Sequence, residues 1–346
     1  MGFEWWSSEQ RVRINLSESA LAVIADDMFQ FKTADRSTFM NIVFKNFYPE
    51  AKASIILYIN HRKRQLLDII ELADEIHSIQ DHIINQLLMH EQKELEDNIA
   101  FQKKNKYASH IYRINTANLS YLRSEECQES EPYQQKLGLY LKCILEEYAA
   151  LPYRERECIF FREWYEIVSQ AIETHSLLKI TTGKHKKFYV HPYSLETDTL
   201  STRLYLTGLS KKSESEGAAK YPASFRIPNF HDVKILRQSG RLTKEEIVQL
   251  KEALSSRKVQ FLLDREEEIR IRFTEGGIRK YNTLVYMRPA FDPAKTKGNE
   301  YVFRCTLKQA EYYFFKFGED AQILSPPDLR RRFMELYERA ASIYHI

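Results

Sequence analysis

Residues 11–16 read RVRINL, a stretch in which polar and apolar side chains alternate strictly. A period of two is typical of a strand with one buried face. Ser17 follows as a helix N-cap, and Asp35 gives the same signal before a second segment with apolar residues at helical spacing. Pro49 ends or kinks that second segment. The sequence therefore predicts one strand followed by two helices.

The predicted strand has no neighbouring strand within this segment, so its backbone N–H and C=O groups need partners from elsewhere. The order strand, helix, helix resembles the ribbon-helix-helix family, in which two chains pair their strands into an antiparallel ribbon. The resemblance implies a homodimer whose outward strand residues Arg11, Arg13 and Asn15 enter the major groove of DNA. It also implies that Ser37 and Thr38, at the start of the second helix, contact a phosphate. The alternative is an ordinary edge strand whose arginines are solvated.

The following residues, 51–167, are predicted to be mainly helical. Ile69, Ile76 and Ile83 recur at intervals of seven. Such an apolar seam is compatible with packing inside the chain or with a pair of helices from two chains. A short strand-like segment at 111–114 interrupts the helices.

From residue 176 the pattern changes to short strand-like segments, at 177–180, 187–190, 203–208 and 224–227. This spacing predicts a small, strongly bent sheet or barrel. Residues 175–240 are also basic, with 11 Lys and Arg against 5 Asp and Glu, whereas the net charge of the whole chain is only +3. A local excess of positive charge favours an anionic partner, and a solvated lysine-rich surface is the alternative.

Three short motifs lie in this basic region: His191-Pro192-Tyr193-Ser194-Leu195, Leu204-Tyr205-Leu206 and Phe225-Arg226-Ile227. Together they resemble a WYL domain, an SH3-like β-barrel found in bacterial regulators. Leu204 replaces the tryptophan of the family and Asn229 replaces a second arginine, which removes one stacking surface and one cation. Residues 268–344 resemble the C-terminal extension that commonly follows WYL domains.

These patterns predict an α+β multidomain chain. Its parts are a ribbon-helix-helix at 1–50, a helical connector at 51–167, a WYL barrel at 168–240 and a C-terminal α+β domain at 241–346. No uninterrupted apolar run approaches the roughly 18 residues that a membrane span needs, so no membrane partner is expected. Four widely spaced cysteines, none in a Cys-x-x-Cys pair, fit a reducing cytoplasm rather than a disulfide framework.

Six residues from different strand-like segments of the WYL region combine cations with rings. They are Lys179, Lys187, His191, Arg203, Tyr205 and Arg226. Alternation along the strands can place several of them on one face. Lys and Arg neutralise phosphates and Tyr stacks on bases, and the family resemblance implies ligand binding at the matching positions. The alternative is that His191 and Tyr205 are core residues and that the cations are dispersed over the surface.

No nucleotide-binding, hydrolase or metalloprotease motif occurs in the chain, so we predict a non-enzymatic protein without catalytic residues, metal or cofactor. A ribbon-helix-helix joined to a WYL domain resembles the accessory proteins encoded beside type VI-D CRISPR effectors. Those proteins bind single-stranded RNA and stimulate an RNA-guided ribonuclease. The alternative is a dimeric bacterial transcription regulator that binds duplex DNA through the ribbon and senses a ligand with the WYL domain. The architecture favours the accessory hypothesis, with single-stranded RNA or DNA as ligand and a CRISPR effector as partner.

Overall fold

The computed structural model describes residues 10–71, 77–104, 108–123, 137–198, 203–213, 219–263 and 266–344. The chain divides into two compact units, Met1–Glu163 (unit 1) and Trp164–Ile346 (unit 2). Helices and sheets occur in both units, so the predicted mixed α+β class is confirmed. Within the described ranges, no helix is both long and apolar enough to cross a membrane.

Unit 1 is built around a short sheet and the helices that follow its strands. Its elements are β1 (Arg11–Leu16), α1 (Glu18–Gln30), α2 (Arg36–Phe47), α3 (Ile55–Glu71), α4 (His77–Lys104), β2 (Ala108–Arg113), α5 (Thr116–Leu122), α6 (Leu137–Ala150) and α7 (Tyr153–Phe160). Ser17 caps α1 by accepting a hydrogen bond from the Ala20 N–H, and Asp35 caps α2. The predicted strand and the two helix starts are thereby confirmed. In the predicted heptad, Ile83 is 51% exposed, while the side chains of Ile69 and Ile76 lie outside the described part.

The partner of β1 is β2 of the same chain, in an antiparallel ribbon with Arg13 opposite Ile111. The expectation that β1 pairs with the same strand of a second chain is therefore wrong, because its partner is a strand far along the same sequence. Among the described elements, β2 is likewise followed by two helices, α5 and α6, so the order strand, helix, helix recurs there. Arg13 and Ile111 each lie four residues before the N-cap of the next helix, at Ser17 and Asn115. One chain thus supplies both halves of a ribbon with two-fold pairing, and the ribbon does not require a homodimer.

The core of unit 1 lies between the ribbon and α6. Val12, Ile14 and Leu16 of β1 are buried, and α6 packs against β1, α1 and α2. At Gly138 an added Cβ would lie 2.6 Å from the carbonyl oxygen of Arg13. The absence of a side chain at this position lets α6 approach the backbone of β1.

A buried ion pair ties α1 to α6 and α7. The Asp27 side chain is fully buried, and Arg156 Nε donates to its Oδ2 atom over 2.7 Å. The Tyr148 hydroxyl donates to the same oxygen over 2.9 Å. Burial, and then the Asp27 charge, raise the pKa of Tyr148 well above its usual value, so this hydroxyl remains a donor.

Unit 2 contains a five-stranded antiparallel sheet that follows helix α8 (Arg162–Glu173). Its strands are β3 (Ser176–Thr182), β4 (Lys186–Thr197), β5 (Leu204–Lys211), β6 (Tyr221–Phe225) and β7 (Phe230–Ser239), in the order β6-β5-β4-β3-β7. After β6 the chain enters a 3₁₀ turn at Ile227–Asn229, and β7 then pairs with β3. In the described residues β6 and β7 do not pair with each other, so the predicted barrel is not closed.

The remainder of unit 2 is a three-stranded sheet with helices. Its elements are α9 (Lys244–Arg257), β8 (Glu266–Phe273), α10 (Glu275–Thr283), β9 (Glu300–Thr306), α11 (Leu307–Phe314), β10 (Ala321–Ser325) and α12 (Pro327–Ser342), with strand order β10-β8-β9. Its core is aromatic, with Phe273, Phe303 and Phe314 buried together. Helix α9 packs against β5 and β6 of the five-stranded sheet and against β9 of the three-stranded sheet, so the two sheets of unit 2 share one packed body.

Candidate nucleic-acid interface

One face of the five-stranded sheet is apolar and buried. The opposite face, which we call the polar face, has partly exposed polar side chains towards its two ends, whereas Thr207 and Leu209 between them are buried. The apolar face is made of buried residues, among them Leu178, Ile180, Val190, Leu206, Phe225 and Val233. On the opposite face, Lys179 pairs with Tyr189, and Tyr205 pairs with Glu196. Alternation therefore does bring predicted site residues from several strands to one face.

The Arg226 guanidinium lies over the Tyr205 ring, 5.7 Å from the ring centroid, at the end of the polar face. Burial raises the pKa of Tyr205, Arg226 opposes the rise and Asp198 adds to it. Arg203, at the start of β5, is exposed and accepts a backbone hydrogen bond from the Asp198 N–H. We call Arg203, Tyr205 and Arg226 the arginine–tyrosine patch. It combines a half-buried ring with two guanidinium groups.

A second cluster lies where β3, β4 and β7 run side by side. Lys179 Nζ is 5.8 Å from the Tyr189 ring centroid, and Lys234 pairs with Lys179 across the strands. Lys187 is exposed and lies two residues from Tyr189 on the same face of β4. We call Lys179, Lys187, Tyr189 and Lys234 the lysine patch. Neither Tyr189 nor Lys234 was predicted, although pairing of Lys179 with its cross-strand neighbours would have found both.

The two patches lie at different ends of the polar face. Tyr189 pairs with Lys211, and Tyr205 lies six residues before Lys211 on β5. Six residues correspond to about 20 Å along an extended strand. The predicted cations and Tyr205 thus form two surfaces rather than one compact pocket.

His191 lies on β4 between the patches but is only 5% exposed. Burial lowers the pKa of His191, and the nearby Lys220 lowers it further. Lys220 Nζ pairs over 2.8 Å with Glu246, in the first turn of α9. The expectation that His191 belongs to an exposed binding surface is therefore not met, since its side chain is packed inside unit 2.

In unit 1, the outward face of the ribbon carries several cations around one exposed apolar residue, Ile111, opposite Arg13. Arg11, Arg13 and Asn15 are all exposed, as predicted. β2 adds Arg113, which is exposed and lies opposite Arg11. Sequence reasoning missed Arg113 because the pairing of β1 with β2 was not foreseen.

Ser37 and Thr38, the two residues predicted to bind a phosphate at the start of α2, form hydrogen bonds within the protein instead. The Ser37 hydroxyl accepts a hydrogen bond from the Arg113 N–H over 3.0 Å. The N–H and hydroxyl of Thr38 both donate to the Asp35 carboxylate, at 2.7 and 2.8 Å. Because a carboxylate already caps this helix, a phosphate there would meet a negative charge.

No protein-family model matches the chain, and no curated protein is similar to it in sequence. A solved structure described as a CRISPR Cas-related protein superposes with a TM-score of 0.71 and 24% sequence identity. The match covers 97% of this chain and 94% of that one, so the two proteins share a fold. Proteasome accessory factor B/C of Arthrobacter aurescens is 12% identical over 65% of this chain and 37% of its own, with a TM-score of 0.32. That score is too low to indicate a shared fold.

Proposed function

We propose that this protein is a non-enzymatic regulator that binds single-stranded RNA on the polar face of the unit 2 sheet. The observation that carries the proposal is the placement of a cation over a tyrosine at both ends of this face. Arg226 lies over Tyr205, and Lys179 lies over Tyr189. Tyrosine rings stack on unpaired bases, and the neighbouring cations neutralise the phosphates between those bases. A single strand fits better than a duplex, because stacking needs base faces that a duplex hides.

The separation of the two patches supports a linear ligand. A small anion would need convergent donors in one pocket, whereas the arginine–tyrosine and lysine patches lie about 20 Å apart along the strands. A nucleic-acid strand presents phosphates and bases repeatedly along its length. It can therefore contact two patches that are separated by buried residues such as His191 and Thr207.

We further propose that the protein acts as an accessory to a CRISPR RNA-guided ribonuclease and stimulates it. The support is the fold shared over 97% of the chain with a protein described as CRISPR Cas-related. The substrate of such a ribonuclease is single-stranded RNA, so a protein bound to the ribonuclease would encounter that RNA. The polar face offers a surface with the matching chemistry.

Fluorescence anisotropy with a labelled, unstructured RNA and a DNA of the same sequence tests the binding. We expect RNA to bind more than about tenfold tighter than DNA, because the 2′-hydroxyl is the group that distinguishes them. Binding of neither strand would end the proposal. Addition of the protein to a type VI-D CRISPR ribonuclease should raise the rate of target cleavage. An unchanged rate would remove the accessory role and leave the RNA binding standing.

A regulator that binds duplex DNA is the second candidate, and the basic outward face of the ribbon favours it. Arg11, Arg13 and Asn15 carry the side chains that read guanine and adenine in the major groove. Since β1 and β2 differ in sequence, a preferred duplex would not be palindromic. A triple alanine variant at these three positions should lose at least about tenfold in affinity for that duplex. Full affinity in this variant would exclude the ribbon as the reader.

A further inference from the structure

Lys316 lies over a group of tyrosines in the C-terminal part of unit 2. Its Nζ atom is 5.0 Å from the ring centroid of Tyr312, 5.6 Å from that of Tyr286 and 5.9 Å from that of Tyr313. The rings of Tyr286 and Tyr312 pack edge to face, with centroids 6.3 Å apart. We call these four residues the tyrosine–lysine cluster.

The Lys316 ammonium keeps its charge available. In the part of the chain that the structure describes, no carboxylate forms an ion pair with Lys316. Aromatic faces attract a cation through their quadrupole but do not neutralise it. An approaching phosphate would therefore meet a positioned, uncompensated positive charge.

The cluster also exposes ring surface. Tyr312 is 51% exposed, and Lys316 is exposed beside it. The Tyr313 ring is fully buried, and its hydroxyl donates to the Leu284 carbonyl over 2.6 Å, which fixes the floor of the cluster. A fixed aromatic surface next to a cation is the arrangement with which proteins bind successive nucleotides of a single strand.

The Asp198 charge acts on one tyrosine of each site. Burial raises the pKa of both Tyr205 and Tyr286, and the Asp198 carboxylate adds to the rise at each. Asp198 therefore lies within electrostatic reach of both hydroxyls.

We propose that the tyrosine–lysine cluster is a second site at which single-stranded nucleic acid stacks, in addition to the arginine–tyrosine patch. Tyr312 stacks on a base, and Lys316 contacts the adjoining phosphate. The inference rests on the proposed function, because it assigns further contacts to the same strand. It extends the binding surface from the five-stranded sheet onto the C-terminal part of unit 2.

The test uses the full chain and a labelled, unstructured RNA of about 12 nucleotides, a length within the site sizes of single-strand-binding proteins. We expect Tyr312→Ala and Lys316→Ala each to weaken binding by about tenfold, whereas Tyr312→Phe, which keeps the ring, stays close to the wild type. Tyr344→Ala and Lys251→Ala are matched controls, because each removes an exposed residue of the same type outside the cluster. Tyr344 follows α12, and Lys251 lies on α9. Melting temperatures show whether each variant is folded.

Arg226→Ala, measured in parallel, separates this inference from the proposed function. If Arg226→Ala weakens binding but Tyr312→Ala and Lys316→Ala stay within about twofold of the wild type, the second site is wrong and the proposed function stands. If the wild type binds no RNA, both fail. If Tyr312→Ala preserves RNA affinity but abolishes stimulation of the ribonuclease, the cluster contacts a protein and the inference is overturned.

Discussion

Arg13 of β1 lies directly opposite Ile111 of β2, at the centre of a ribbon formed within one chain. Both residues occupy the same position relative to the cap of the helix that follows. The pairing that two separate chains would provide in a ribbon-helix-helix dimer is here intramolecular. A homodimer stays a prediction, but pairing of the β1 strands no longer supports it, because β1 already pairs with β2.

We expect the thermal stability of unit 1 to be independent of protein concentration. Strand pairs within one chain form by a unimolecular reaction, whereas strands shared between chains are stabilised by mass action. Melting temperatures measured by circular dichroism across about a hundredfold dilution test this. A melting temperature that falls steadily on dilution would show that the folded protein is stabilised by a second copy, and would contradict this expectation.

Ile14→Asp should unfold unit 1 rather than dissociate a dimer. Ile14 is fully buried under the ribbon, and a carboxylate there would have no partner. We expect a loss of about 4 kcal/mol or more in the free energy of unfolding, measured by urea denaturation. Arg13→Ala, at the exposed neighbouring position, is the matched control and should change that free energy by less than about 0.5 kcal/mol. Similar losses in both variants would contradict the assigned faces of β1.

Asp27→Ala should be far more destabilising than Glu50→Ala. Removal of Asp27 leaves the largely buried Arg156 guanidinium without its counter-charge, at a cost of about 3–5 kcal/mol. The Glu50–Arg162 pair also has a 2.7 Å contact, but Glu50 is 52% exposed, so its loss should cost less than about 1 kcal/mol. Urea denaturation of the two variants provides the comparison. Equal losses would mean that burial does not set the strength of these pairs.

His191 should make the stability of unit 2 depend on pH. Burial holds its pKa below the usual 6.5, so below that pH the unfolded chain binds a proton more readily than the folded one. The free energy of unfolding should therefore fall as the pH is lowered from about 7 to 5. His191→Gln should flatten this part of the profile, whereas His231→Gln, at an exposed position, should leave it unchanged. If the free energy of unfolding still falls with pH in His191→Gln, the pH dependence arises from another group.

Arg226→Ala and Tyr205→Ala should weaken RNA binding in distinguishable ways. Loss of the guanidinium removes one phosphate contact, so the slope of log affinity against log salt should decrease by about one. Loss of the ring should weaken binding by about tenfold and leave that slope unchanged. Anisotropy titrations across a salt series measure both quantities. Unchanged affinity in a folded double variant would move the binding site away from Tyr205.

The sequence alone determined the local features of the ribbon. The alternation in RVRINL predicted which side chains of β1 are buried, and Ser17 and Asp35 are the caps that they were predicted to be. These features depend on neighbours within a few residues, so the chain encodes them locally. The same alternation placed Lys179 and Tyr205 on the polar face of their sheet.

Tertiary structure decided which strands pair and which polar residues remain accessible. The partner of β1 is supplied by residues 108–113, and a pattern of period two carries no information about a partner so distant in the chain. His191 and Tyr205 share one face, yet His191 is buried while Arg226 lies over Tyr205. Periodicity assigns a side chain to a face, but the packing of other elements over that face determines its exposure. The register between strands then determines which cation lies over which ring. That register depends on the combined burial of many residues distant in the chain, so local sequence patterns do not reveal it.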